Sequence, residues 1–171
     1  MSRLARGEVA AFEEIINEYW AGIALFAARL LNDREGARDV AQETFIRLWI
    51  GRARWHAGSL RPLLYRIARN LVGDEVRKRS VRDRWLGGLP DALGDSGPDD
   101  STQRQELHLE VADAVQALAP RRRQALTLAF LHELPYKEVA SIMGISVATV
   151  RNSISSALSD LRHSLAPHHK H

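Results

Sequence analysis

Apolar residues recur at helical spacing along most of the chain, and no stretch shows the strict alternation of a half-buried strand. Over residues 9–31 they include Phe12, Ile15, Ile16, Tyr19, Ile23, Phe26 and Leu30, the pattern of one long amphipathic helix. Asn32-Asp33 breaks it. The next helix is expected over residues 34–50, with Ala37, Val40, Ala41, Thr44 and Leu48 as its core stripe. Its far face carries Glu35, Asp39, Gln42, Glu43 and Ile46. An acidic face centred on an apolar residue suits a protein partner better than DNA, although such a face on its own is more often only solvated. Residues 51–58, with Gly51 and Gly58, read as a loop. Ser59 is an expected N-cap, and Pro62 is tolerated in a first helical turn.

The third helix, to about Arg84, has the apolar stripe Leu60, Leu64, Ile67, Ala68, Leu71 and Val72. Arg66, Arg69, Asn70, Gly73 and Arg77 lie opposite, and Lys78, Arg79, Arg82 and Arg84 extend the charge. Gly73 in the basic face would permit close approach to a nucleic-acid strand. A plain basic surface is the alternative.

Residues 87–103, GGLPDALGDSGPDDSTQ, interrupt the periodicity with Gly, Pro, Asp and Ser and read as a flexible linker. Beyond it, helices are expected over residues 104–118 and from Pro120 to about His132. A short one starts after Pro135, and a last one follows the turn Gly144-Ile145-Ser146. The expected architecture is all-α, with two small helical domains at residues 1–86 and 104–167 joined by the acidic linker.

Residues 136–158 have the pattern of a helix-turn-helix. Val139, Ala140 and Met143 form the inner face of the first helix, Gly144 permits the tight turn, and Ser146 can cap the second helix. Val150, Ile154, Ala157, Leu158 and Leu161 share one face of that helix. Ala148, Asn152, Ser155, Ser156 and Ser159 share the other, with Thr149 and Arg151 on its flanks. Arginine can bond guanine and asparagine adenine in bidentate fashion, so this face is a candidate for the major groove. The bland alternative is a helical hairpin with a solvated Ser-rich face. Arg121-Arg122-Arg123 stands at a helix start, where cations oppose the macrodipole; a phosphate contact or simple solvation would explain it.

Charge sharpens this picture. The 171 residues carry a net charge of only +3, but unevenly. Residues 1–85 hold 16 Lys/Arg against 11 Asp/Glu, residues 86–103 hold four Asp and no base, and residues 104–171 hold 8 against 6. Two basic blocks around an acidic strip fit a polyanion-binding protein. The chain has no cysteine, which excludes disulfides and thiolate metal sites. No leader-like or membrane-spanning run is legible, so a cytoplasmic protein is expected. No nucleotide-binding Gly loop, zinc-protease motif or nucleophile elbow is present, which argues against an enzyme. His168, His169 and His171 read as a solvated tail rather than a metal site, and no cofactor is called for.

Two long segments carry a family resemblance. DREGARDVAQETFIRLW, followed by GSLRPLLYRIARNLVGDEVRKR, resembles region 2 of the extracytoplasmic-function (ECF) sigma factors. LAPRRRQALTLAFLHELPYKEVASIMGISVATVRNSISSAL resembles their region 4. The resemblance implies a dissociable subunit of bacterial RNA polymerase with no catalysis of its own, a monomer when free and commonly held by an anti-sigma factor. It implies that Asp39, Gln42, Glu43 and Ile46 dock on core polymerase, with Phe45 partly in the core. Trp55, His56 and Ser59, with Ala57 and Gly58, match a loop that captures an unstacked base of the −10 element. Arg66, Arg69, Asn70, Arg77 and Lys78 belong to the helix that tracks that element. Arg122, Ser146, Thr149, Arg151, Asn152, Ser155 and Ser156 are the expected −35 contacts. The acidic linker resembles a connector through the polymerase's nucleic-acid channels. Ser155-Ser156 departs from the Arg or Lys that many members carry there, so fewer phosphate contacts and a shallower salt dependence are expected. A stand-alone helix-turn-helix repressor or activator is the competing reading.

Overall fold

The computed structural model describes residues 2–54, 58–86 and 102–166. The expected base-capturing residues Trp55, His56 and Ala57, linker residues 87–101 and the His-containing tail lie outside the described residues. Every regular element among the described residues is helical. The chain divides into two compact units, residues 1–94 and 95–171.

In the first unit a short helix α1 (Ser2–Ala5) precedes α2 (Val9–Leu31), α3 (Arg34–Gly51) and α4 (Leu60–Leu86). Asn32 ends α2 in the left-handed region, with φ 50°, and its N–H bonds Ala28 O at 2.9 Å. Asp33 then caps α3 by accepting the Glu35 N–H at 2.9 Å. Asn32-Asp33 is therefore both a stop and a start. The three long helices pack on one another around Ile23, Phe26, Ala41, Leu48, Leu64 and Ala68. Thr44 joins this core by donating its hydroxyl to Val40 O at 2.7 Å. The apolar stripe read for α3 is buried in full, whereas Leu60 and Ile67 of the α4 stripe are only half-buried.

Two features were not legible beforehand. Helix α1 packs on α2, with Leu4 only 1% exposed, although the apolar periodicity predicts no helix ahead of residue 9. Residues 52–54 of the expected loop form a 3₁₀ turn. There the Arg52 guanidinium lies 4.2 Å over the Trp49 ring, and Trp49 packs on Phe12 with centroids 4.9 Å apart.

The second unit contains α5 (Thr102–Ala117), α6 (Pro120–Leu126), α7 (Tyr136–Met143) and α8 (Val147–Leu165). The helix opened by Pro120 keeps α geometry only to Leu126. Residues Thr127–Leu131 widen into a π-helical turn, with the His132 N–H bonding Thr127 O at 3.3 Å. Glu133, at φ 50°, ends this element. Gly144 holds φ 65° between α7 and α8, a conformation that glycine adopts without the Cβ penalty. Val139, Ala140, Ile142 and Met143 of α7 are buried, as are Val150, Ile154 and Ala157 of α8. Leu158 and Leu161 are half-buried.

Candidate nucleic-acid interface

The core stripe of α3 turns its polar face outward. Asp39, Gln42 and Ile46 are exposed, Ile46 by 41%. Glu43 is half-buried and bonds Arg47 at 2.8 Å. Phe45 is buried outright rather than partly, and stacks against Trp20 of α2 with centroids 5.8 Å apart. One turn beyond Ile46, Ile50 is 72% exposed and lengthens the apolar edge of this face.

On α4, Arg66, Asn70, Arg77 and Lys78 are exposed, and Arg69 is half-buried. Ser59 is exposed immediately ahead of the helix. Arg77 forms an ion pair with Asp74. Arg79 does not extend the exposed basic face. It turns inward to Asp33 and, at 3.0 Å, to Glu75. Burial alone would raise the Asp33 carboxyl. The Gly36 and Glu35 N–H groups and the Arg79 guanidinium outweigh that and hold it below the usual carboxylate range. A Cβ on Gly73 would meet only Arg77 Nη1, at 3.6 Å, so packing within the chain does not demand glycine there. Between α3 and α4 runs a groove of about 720 Å³, with Asp39 and Glu43 on one wall and Arg77, Lys78 and Arg82 on the other.

On α8, Ser146 Oγ accepts the Thr149 N–H at 3.1 Å and lies 2.8 Å from Thr149 Oγ1. Both hydroxyls are thus engaged in the cap. Arg151, Asn152 and Ser155 are exposed, and Ser156 is half-buried. The arginine run at the start of α6 divides its roles. Arg121 is exposed. Arg122 pairs with Asp160 of α8. Arg123 turns inward to Gln116 O and Oε1, both at 2.7 Å, and burial lowers its pKa. The run is therefore not a uniform phosphate clamp. The macrodipole conflict at Arg122 and Arg123 is offset by fixed acceptors.

Two family models match the chain. Sigma-70 region 2 matches residues 15–82, which span α2, α3 and most of α4. Sigma-70 region 4 matches residues 108–161, which include the helix-turn-helix. The chain is 31% identical over 170 residues to the ECF RNA polymerase sigma factor SigL of Mycobacterium tuberculosis, covering 95% of this chain and 93% of SigL. The chain belongs to the ECF RNA polymerase sigma factors. The RNA polymerase sigma-H factor of Pseudomonas aeruginosa is 30% identical over 178 residues, covering 98% of this chain and 92% of that protein. The ECF sigma factor SigE of Mycolicibacterium smegmatis is 30% identical over 170 residues, but this chain spans only 66% of its length. Among solved structures, the sigma factor RpoE in complex with the anti-sigma factor NepR, from Bartonella quintana, has the same fold. Its TM-score is 0.77 at 23% identity, over 91% of this chain and 96% of that one. CnrH in complex with the cytosolic domain of CnrY gives 0.74 at 22%, over 96% and 93%.

In this ECF sigma factor the expected contact residues among those described lie on α3, α4, α6 and α8 or in the turns that lead into them. Asp39, Gln42, Glu43 and Ile46 share the outward face of α3. The described residues expected at the −10 element line α4 and the turn before it. Arg151, Asn152 and Ser155 share the exposed face of α8. Ile50 carries no signal of its own in the sequence, because it stands at the expected end of the helix. Phe130 and Leu131, 58% and 42% exposed on the π turn, carry none either, because an unbroken α-helix fits the same apolar pattern. No group of three or more His, Asp or Glu side chains among the described residues could hold a metal ion. No described helix is long and apolar enough to cross a membrane.

Proposed function

We propose that the first unit docks on core RNA polymerase through α3 and opens the −10 element through α4, while α8 of the second unit reads the −35 element. The observation that carries this reading is the split of chemistry within one small unit. Helix α3 exposes acids around Ile46, and α4 exposes Arg66, Asn70, Arg77 and Lys78, while one shared core orients both. An acidic face with an apolar centre fits a protein surface. A basic face with an asparagine fits a nucleic-acid strand. Strand opening would then draw on binding energy, with the captured base offsetting an unstacking cost of a few kcal/mol.

The sigma factors in the two structural neighbours were solved with NepR and with the cytosolic domain of CnrY. Their similarity in fold supports an anti-sigma partner for this chain too. The protein works in the cytoplasm, on promoter DNA and core polymerase, without a catalytic step or cofactor of its own. The stand-alone regulator is disfavoured, because region 2 as well as region 4 matches.

The test compares promoter binding and run-off transcription with and without core polymerase. Weak binding alone and specific initiation with core are expected. Tight, specific duplex binding by the protein alone, unaffected by core, would overturn the reading. Sequencing RNA start sites after overexpression would then align both promoter elements.

A further inference from the structure

Helix α4 continues well past the core that holds its first half. Val72 is its last buried residue as far as Trp85, and from Val72 to Leu86 the helix advances about 21 Å at 1.5 Å per residue. Only Gly73, Asp74, Glu75 and Arg79 are even half-buried among residues 73–85. Arg79 joins this overhang to the rest of the unit. Its guanidinium bonds Asp33, 46 residues back in the chain, with Glu75 holding Nε at 3.0 Å. Asp33 divides its carboxylate, one oxygen capping α3 through the Glu35 N–H and the other taking Arg79. Gly36 leaves the space for this. A Cβ there would lie 2.6 Å from Asp33 Oδ2 and 2.7 Å from Arg79 Nη2. Both contacts are closer than real Cβ atoms come. Alanine is ordinarily the better helix former, so an internal glycine needs such a reason.

We infer that Asp33, Gly36 and Arg79 form a clasp that sets the direction of the overhanging half of α4, and that Arg79 is a positioning residue for −10 opening. Arg77 and Lys78 directly precede Arg79, so fixing Arg79 fixes the azimuth at which they meet DNA. The same clasp starts from the N-cap of α3 and thereby references the DNA-reading helix to the polymerase-docking helix. A fork with two fixed acceptors suits this role better than lysine, whose ammonium is a flexible point charge.

This inference rests on the function proposed above, so its test includes a readout that does not depend on that function. The chain has no cysteine. Spin labels at Asn17→Cys on α2 and Asp83→Cys on the overhang therefore report one distance in the full chain. With Asp33 intact, a narrow distribution is expected. Asp33→Asn keeps a good N-cap but removes the charge. It is expected to broaden the distribution and lower −10 opening by about fivefold, read by permanganate reactivity in the holoenzyme, with core affinity within twofold of wild type. Arg79→Ala and Gly36→Ala are expected to match it, and Arg79→Lys to recover part of the loss. An unchanged distance distribution in Asp33→Asn would overturn the clasp. If Asp33→Asn opened promoters as well as wild type while Arg79→Ala did not, Arg79 would be a direct DNA contact and the positioning role would fall. If the wild-type protein directed no opening at all, the proposed function would fail, while the distance measurement would still judge the clasp.

Discussion

The Arg122 guanidinium lies 2.5 Å from Asp160 Oδ2, joining the first turn of α6 to the far half of α8. Both side chains remain more than 40% exposed, so solvent screens the pair and its share of stability is below about 1 kcal/mol. Its larger effect is to occupy Arg122. Arg122→Gln should therefore leave the salt dependence of −35 binding by the holoenzyme nearly unchanged. Exposed Arg151 should behave differently, with Arg151→Ala reducing the slope of log affinity against log salt by about one. Fluorescence anisotropy on −35 duplexes over a salt series separates the two. A slope reduced equally by Arg122→Gln would return that residue to the phosphate contacts.

Asp39 is exposed on α3 and is in no ion pair seen among the described residues. Asp39→Arg should therefore leave the thermal midpoint unchanged and weaken association with core polymerase at least tenfold, or about 1.4 kcal/mol. Co-purification with core, followed by a binding titration, measures this. Undiminished assembly would remove Asp39 from the docking face.

Asn70 is exposed midway along α4, between Arg66 and Arg77. Asn70→Ala should lower open-complex formation about fivefold, the worth of roughly 1 kcal/mol of hydrogen bonding, with closed-complex binding little altered. Permanganate footprints identical to wild type would contradict that role.

Ser146 caps α8 through the Thr149 N–H. Ser146→Ala should cost about 1 kcal/mol of stability in the second unit, and Ser146→Gly only a few tenths. Urea unfolding of the full chain followed by hydrogen exchange in α8 reads this directly. Equal midpoints for wild type and Ser146→Ala would show that the cap contributes nothing.

Burial pushes the His132 imidazole down to about 4 from 6.5. The unfolded chain therefore binds a proton here before the folded one does. Stability from this group is complete above pH 6.5 and declines as the pH falls towards 4. The second unit should accordingly unfold at lower urea concentration at pH 4.5 than at pH 7, and His132→Gln should flatten that dependence. A wild-type pH profile no steeper than that of the variant would refute the assignment.

Much of the fold was legible because its signals are local. Periodicity placed α2 at residues 9–31, where it stands, and α3 to within a residue. Asn32, Pro120 and Gly144 act through their own backbones, and Asp33 and Ser146 through side chains that cap the turn beside them, so each boundary could be read where it occurs. The α3 stripe was likewise recoverable, since burial on a helix follows its turn. The π turn at Thr127–Leu131 was not, because one widened turn barely disturbs an apolar pattern. Leu4 also escaped notice, because its burial is supplied by residues that a charged, four-residue helix does not reveal.

The sequence by itself determined an all-helical chain, those element boundaries that a cap, proline or glycine marks locally, and two segments whose residue order marks the family. What only the tertiary structure decided is which charges are available. Arg77, Lys78 and Arg79 are adjacent and chemically alike, yet Arg79 alone turns back to Asp33, 46 residues away. Arg121, Arg122 and Arg123 divide in the same way among solvent, Asp160 and Gln116. A basic run states how much charge a helix carries. Whether that charge faces a ligand depends on acceptors brought in by distant segments, and those are set by how the helices pack.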